Sequence, residues 1–200
     1  MAYRNFKESE LTKKFGITQR SVRLFNGDKI MPIAPSQRLI DKLEDAHLMN
    51  ITTEKAVSEV IITPIMMEIK RLNIDKIQIY SGEIINADTA QGLNGEIDFI
   101  ITRFPYHTEP TAPIISITEA KASRVLKAVP QAIAQMLGAR VFNQKGGENV
   151  EIIHGIITDG DVWIFLRLDG NIVSVDEEKY YINDLPHLLG GLQRIIDFYN

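Results

Sequence analysis

The sequence predicts an α/β fold: one central mixed β-sheet flanked by helices on both faces. Three observations predict it. Helical periodicity and strand-like runs alternate along 200 residues. Three strand-like runs precede a central helix, and two or three follow it, so the strands can share one sheet covered by helices. Hydrophobic residues make up 44% and charged residues 24% of the chain, enough apolar surface for a full core.

Taken in order, residues 1–50 read as an N-terminal helical accessory region and residues 51–200 as the main domain. Glu8 to Phe15 fits a short helix ended by Gly16. The following Gly16-Ile17-Thr18-Gln19-Arg20 hints at helix-turn-helix, but the spacing is poor. Pro35-Ser36 precedes Gln37 to Leu48, an amphipathic helix with Leu39, Ile40, Leu43, Ala46 and Leu48 on its apolar side. Thr52 or Thr53 caps a helix running to Leu72, and Pro64 inside it should kink or split it. Strands are expected over Lys76 to Ile85, Glu96 to Arg103 and Pro113 to Ala120, the second preceded by the turn signal Gly92-Leu93-Asn94-Gly95. A helix from Ser123 or Pro130 to Gln144 is closed by Gly146-Gly147. Glu151 to Thr158 and Val162 to Leu168 form a hairpin across Asp159-Gly160, Asn171 to Val175 adds a strand, and Leu185 to Tyr199 is the last helix. No repeat or low-complexity segment interrupts this order.

Composition excludes several classes of function. With no cysteine there is no disulfide framework, thiolate zinc site or cysteine nucleophile, which suits a cytoplasmic protein. The N-terminus lacks the apolar core of a signal peptide, and the longest apolar stretch, Val57 to Ile69, is too short and too interrupted to span a bilayer, so no membrane role is expected. The net charge of −4 counts against nucleic acid as a partner, but the charge is uneven. Ala120 to Gly147 carries Lys121, Arg124, Lys127, Arg140 and Lys145 and no acid, whereas acid gathers at 41–45 and 176–178. Such runs are often no more than solvated faces.

Chemistry concentrates in two of the predicted strands. In Ile114-Ile115-Ser116-Ile117-Thr118-Glu119-Ala120-Lys121 a buried strand ends in two charges, and strand alternation puts Glu119 and Lys121 on one face. Alone, this reads as a strand emerging into water with a surface ion pair. In Gly95-Glu96-Ile97-Asp98-Phe99-Ile100-Ile101, however, Asp98 opens an apolar run, where Asp is depleted. A buried charge is costly unless paired or metal-bound. Two carboxylates from neighbouring strands make a hard-oxygen site suited to Mg²⁺, and a nearby lysine can neutralise a phosphate or position the attacking water.

Asp98 followed by Glu119-Ala120-Lys121 resembles the signature of the PD-(D/E)XK nuclease superfamily: an acid on one strand, then Glu-X-Lys on the next. Ile97 stands where the naming proline would be. Five segments (58–68, 93–99, 117–121, 131–139 and 155–165) are similar to a group of restriction-endonuclease-like proteins, many of them cyanobacterial. The resemblance implies a restriction-endonuclease-like fold and a metal-dependent endonuclease with Asp98, Glu119 and Lys121 at its centre. It also implies Mg²⁺, with Mn²⁺ as a substitute, nucleic acid as partner (DNA in the first place), and by analogy a homodimer. An acid from the first helix usually joins such a site. Glu59 is favoured, because it matches the group and sits in an apolar run, so the expected metal set is Asp98, Glu119 and Glu59. Glu68 and Glu54 are the alternatives, Glu68 reading as a solvated residue beside Lys70 and Arg71. Gln131 and Gln135, spaced i, i+4 on one helix face, either approach the site or merely trim a helix packed through Ala132, Ala134, Gly138 and Ala139. Gln131 is the first choice. Arg124, Lys127 and Arg140 are candidates for phosphate contacts.

Other signals carry less. His47, His107, His154 and His187 lack metal-ligand spacing, and His154 reads as a satisfied core or edge histidine. Trp163 reads as core. Asn86 to Gly92 has too few acids for a calcium loop, and no P-loop, G-x-G-x-x-G or G-x-S-x-G occurs. Two further functions stand beside the nuclease: a catalytically silent module of the same fold that binds nucleic acid or protein, and a metal enzyme acting on a small phosphate ester.

Overall fold

Among the described residues the sheet has eight strands: β1 (Thr18–Val22), β2 (Gln78–Asp88), β3 (Leu93–Thr102), β4 (Ile114–Ala120), β5 (Ile153–Thr158), β6 (Val162–Asp169), β7 (Ile172–Asp176) and the short β8 (Tyr180–Tyr181). Their order in this computed structural model is β1-β7-β6-β5-β4-β3-β2, with β8 beside β6. The structure describes residues 2–25, 30–103, 107–121 and 124–199. The β1/β7 and β4/β5 pairs are parallel and the others antiparallel, so the sheet is mixed and open, in an α/β fold.

Helices cover it in two layers. The helices are α1 (Glu8–Phe15), α2 (Gln37–Ala46), α3 (Glu54–Val57), α4 (Thr63–Leu72), α5 (Val129–Lys145) and α6 (Leu185–Asp197). On one face α5 packs on Ile100, Ile117 and Leu166 through Ile133, Met136 and Leu137. On the other, α2, α4 and α6 enclose Phe99, Ile101, Ile115 and Phe165 with Leu39, Ile65, Ile69, Leu189 and Leu192. Strand alternation sends Ile100 one way and Phe99 and Ile101 the other.

Helix α5 makes the crossover between the parallel strands β4 and β5. From Ala132 to Ala139 every residue is buried, which explains why the run is rich in alanine and ends near Gly138. A Cβ at Gly138 would overlap the Tyr3 hydroxyl. Tyr3, 1% exposed, lies across α5 and donates its hydroxyl proton to the Ile85 carbonyl at 3.0 Å. The central helix starts at Val129, with Pro130 in its first turn; Ser123, the other expected start, lies outside the described residues.

Region 1–50, expected as a helical accessory piece, contributes a strand as well as helices and enters both layers of the core. Tyr3, Phe6 and Leu11 belong to the α5 side and Leu39 and Ala46 to the other. The segment that hinted at helix-turn-helix is β1, paired with β7 from Thr18↔Ile172 to Val22↔Asp176.

Pro64 acts as its chemistry requires. It has no N–H to continue the α-helical ladder, and a π turn, Ser58–Ile62, separates α3 from α4. The Thr63 amide reaches back to the Ser58 carbonyl, and the Thr63 hydroxyl donates to the same oxygen at 2.7 Å. Single π turns inside helices are frequent at functional sites. Among the described residues no helix is long and apolar enough to cross a membrane.

Candidate active site

The β3/β4 register runs as far as Phe99↔Thr118. Next along β3 stands Asp98, and its Oδ2 accepts a hydrogen bond from the Ala120 amide at 2.7 Å. The carboxylate thus takes over from the backbone ladder just where β4 ends. On the other side β5 continues the pairing, with Ala120↔Thr158 and the Lys121 amide donating to the Thr158 carbonyl at 2.8 Å. This end of β4 is therefore held from both neighbours, which fixes the side chains of Glu119 and Lys121.

Glu119 is 3% exposed. Its Oε1 accepts from the Lys121 ammonium at 2.6 Å, and its Oε2 from the Gln135 amide nitrogen on α5, also at 2.6 Å. Gln135 Nε2 also reaches the Glu96 carbonyl at 3.4 Å, while the buried Gln135 Oε1 has no partner among the described residues. Lys121 faces a second acid, Glu54 at the start of α3, at 3.8 Å. Thr53 caps that helix by accepting from the Ala56 amide at 3.1 Å, which sets where Glu54 projects.

Burial pushes the Glu119 carboxyl up to about 7, and the charge of Asp98 adds to the rise, against the Lys121 and Gln135 hydrogen bonds. Asp98 is also raised by burial, with Glu54 and Glu96 adding, against the Ala120 amide and the charge of Lys121. Burial works against the Lys121 ammonium, but the bond to Glu119 and the charges of Glu119, Glu54 and Asp98 outweigh it, so Lys121 is held charged above the ordinary lysine range. Two carboxylates and one lysine therefore share a place with too little water to screen them.

A cleft of about 370 Å³ opens beside Asp98, with Glu54, Lys55, Glu59 and Glu96 on its walls. Among the described residues no group of three or more His, Asp or Glu side chains is gathered to hold a metal ion. The donor set nonetheless fits Mg²⁺, which commonly takes one or two protein carboxylates and fills its octahedron with water and substrate phosphate. The orphaned Gln135 Oε1 supplies an acceptor for one such water.

The structure thus brings together Asp98, Glu119 and Lys121, expected from sequence, with Glu54 and Gln135, the second-choice readings. Glu59 lines the outer cleft and pairs with Lys55 at 3.7 Å, while Glu54 makes the contact with Lys121. Glu68 is remote and buried. Contrary to its reading as a solvated residue, it accepts from the Ser36 amide and hydroxyl, both at 2.9 Å, and from Arg71 at 2.6 Å. Gln131 lies one turn before Gln135 in α5 and is half-buried; among the described residues its side chain makes no recorded hydrogen bond.

The three basic candidates divide. Arg124, with left-handed φ of 56°, and Lys127 are exposed in the segment leading from Lys121 to α5. Arg140 instead donates to the Gly170 carbonyl in the β6–β7 turn, at the opposite end of the strands from Glu119. His154 is the satisfied core histidine expected, 3% exposed and 2.7 Å from the Tyr199 hydroxyl, its pKa pushed down to about 3 by burial and Arg167. Trp163 is core and donates to the Gly160 carbonyl at 3.0 Å. No protein-family model and no curated protein sequence matches the chain.

Proposed function

We propose that the chain is a metal-dependent nuclease of the PD-(D/E)XK kind, built on a restriction-endonuclease-like fold and cutting phosphodiester bonds, with DNA as the substrate. One observation carries the reading. Two carboxylates on adjacent strands stand side by side, Asp98 half-buried at the cleft wall and Glu119 buried behind it, with the ammonium of Lys121 bonded to Glu119. Structural economy does not account for this arrangement, since burying like charges together costs free energy.

Asp98 and Glu119 would hold Mg²⁺ or Mn²⁺, which when bound would supply positive charge against the scissile phosphate and make a nearby water more acidic. Lys121 holds the Glu119 carboxylate and faces Glu54 of the cleft wall with a charged amine, which would orient a water or stabilise charge on the phosphate. Gln135 fixes the orientation of Glu119, and Glu54 positions Lys121. Arg124 and Lys127 are placed to meet backbone phosphates.

A second reading is the same fold binding nucleic acid or protein without cutting, and the acidic rim favours its protein-binding form. Glu54, Glu59, Glu96 and Asp98 line the cleft against Lys55, an unwelcoming field for a polyanion without a cation present. Calorimetric titration of Mg²⁺ and Mn²⁺ into the wild type and Glu119→Gln, followed by incubation with plasmid DNA, separates the two. Binding and nicking that both vanish in the variant support the nuclease. A wild type that binds no metal and leaves the plasmid intact overturns it in favour of the second reading.

A further inference from the structure

A second cavity lies against Val57 of α3 and Ile61 of the π turn. Its volume is about 640 Å³, within the range of sites that enclose small organic ligands. The walls are apolar: Ile40 and Leu43 of α2, Val57 and Ile61 of α3 and the π turn, and Ile182 and Leu185 at the start of α6. Three acids line it, Glu44 on α2 with Asp159 and Asp161 in the β5–β6 turn, together with the imidazole of His47 and the amide of Asn183. Among the described residues no lysine or arginine lines it.

The cavity is built rather than left over. Gly160, at the tip of the β5–β6 turn, has φ of +92°, and a Cβ there would lie 3.0 Å from Val57 and 3.2 Å from Ile61, so a side chain is excluded where the turn meets the π turn. Asp159 is fixed by accepting from the Val162 amide at 2.9 Å, which keeps its charge at the rim.

We propose that this cavity is a binding site for a small organic cation with an apolar body. Aliphatic walls would take the body, and Glu44, Asp159 and Asp161 the ammonium or guanidinium group. The pairing sets a preference: a ligand of the same shape with a negative group meets three like charges. The site is independent of nuclease activity, although it shares α3 with the cleft that Glu54 lines.

Three matched probes test it: 4-phenylbutylamine, 4-phenylbutanol and 4-phenylbutanoate, titrated into the full chain by NMR. The amine is expected to shift the methyl signals of Leu43, Val57, Ile61 and Leu185, with the carboxylate roughly thirtyfold or more weaker, since the rim acids attract the one and repel the other. The double substitution Glu44→Gln with Asp161→Asn, at exposed positions, should bring the amine down to the affinity of the alcohol. Leu43→Trp, which fills the cavity, should abolish binding of all three. Excess Mg²⁺ should leave the shifts unchanged, which separates this site from the Asp98 cleft. Equal binding of amine and carboxylate, amine affinity unmoved by the double substitution, or shifts confined to the cleft each overturn the proposal.

Discussion

Glu68 in α4 and Glu119 at the end of β4 are 4% and 3% exposed, yet their surroundings differ in kind. Glu68 is met by three donors, two from Ser36 and one from Arg71. Its charge is answered, and the answer fastens the start of α2 to α4 across a sequence separation of 32. Glu119 has two donors, Lys121 and Gln135, but also Asp98 beside it. A buried carboxylate with donors alone stabilises, whereas one set against another acid is kept at a cost. Burial alone does not distinguish these two acids; the charge of their neighbours does.

Substitution should give the two acids opposite signs. Glu68→Ala removes an acceptor from three donors and should lower unfolding free energy by about 2–4 kcal/mol in urea; a loss near zero would break the comparison. Glu119→Gln keeps the shape and removes the charge, so at pH 8 the variant should melt at or above the wild type, by on the order of 2 kcal/mol. The pH dependence sharpens this. The folded protein holds the Glu119 proton up to about 7, against an ordinary value of 4.5. The associated stability is full below that ordinary value and is lost as pH rises through about 7. The fall should flatten in Glu119→Gln, and an unchanged slope would show that Glu119 is not the group involved.

Within the site, Gln135→Leu should weaken Mg²⁺ binding and cutting by roughly tenfold or more, as loss of a ligand-orienting partner typically does, with far-UV circular dichroism unchanged. Gln131→Leu should do much less, and equal effects would make the Gln135 bond incidental. The smallest effect concerns the basic residues. Lys127→Ala should reduce the salt-dependence slope of DNA binding by about 1, while Arg140→Ala should leave that slope alone.

Most of the sheet was legible because its strands carry their own pattern. The run Ile97 to Ile101 and the run Ile114 to Ala120 fall within β3 and β4, and the anomaly of Asp98 in an apolar run marked the site. β1 was missed because Thr18-Gln19-Arg20-Ser21-Val22 has no buried position; its partner β7, over 150 residues away in sequence, supplies its order. Glu59 was preferred as the helical acid for its apolar setting and does line the cleft, whereas the contact of Glu54 with Lys121 depends on where Thr53 starts α3, which residue spacing alone does not show. Glu68 read as solvated because Lys70 and Arg71 are visible locally and Ser36 is not. Gln131 and Gln135 share a face by spacing, and only the tilt of α5 over β4 decides between them.

The seat of Tyr3 under Gly138 bears on how the protein is made. The ring at position 3 finds its groove only after α5 has left the ribosome. At the ordinary pace of synthesis, the emerging chain would wait roughly ten to thirty seconds with Tyr3, Phe6 and Leu11 uncovered. That interval is the time in which a chaperone would bind this segment, and shortening it, by moving the segment to follow α5 in a circular permutant, should raise the yield of folded protein.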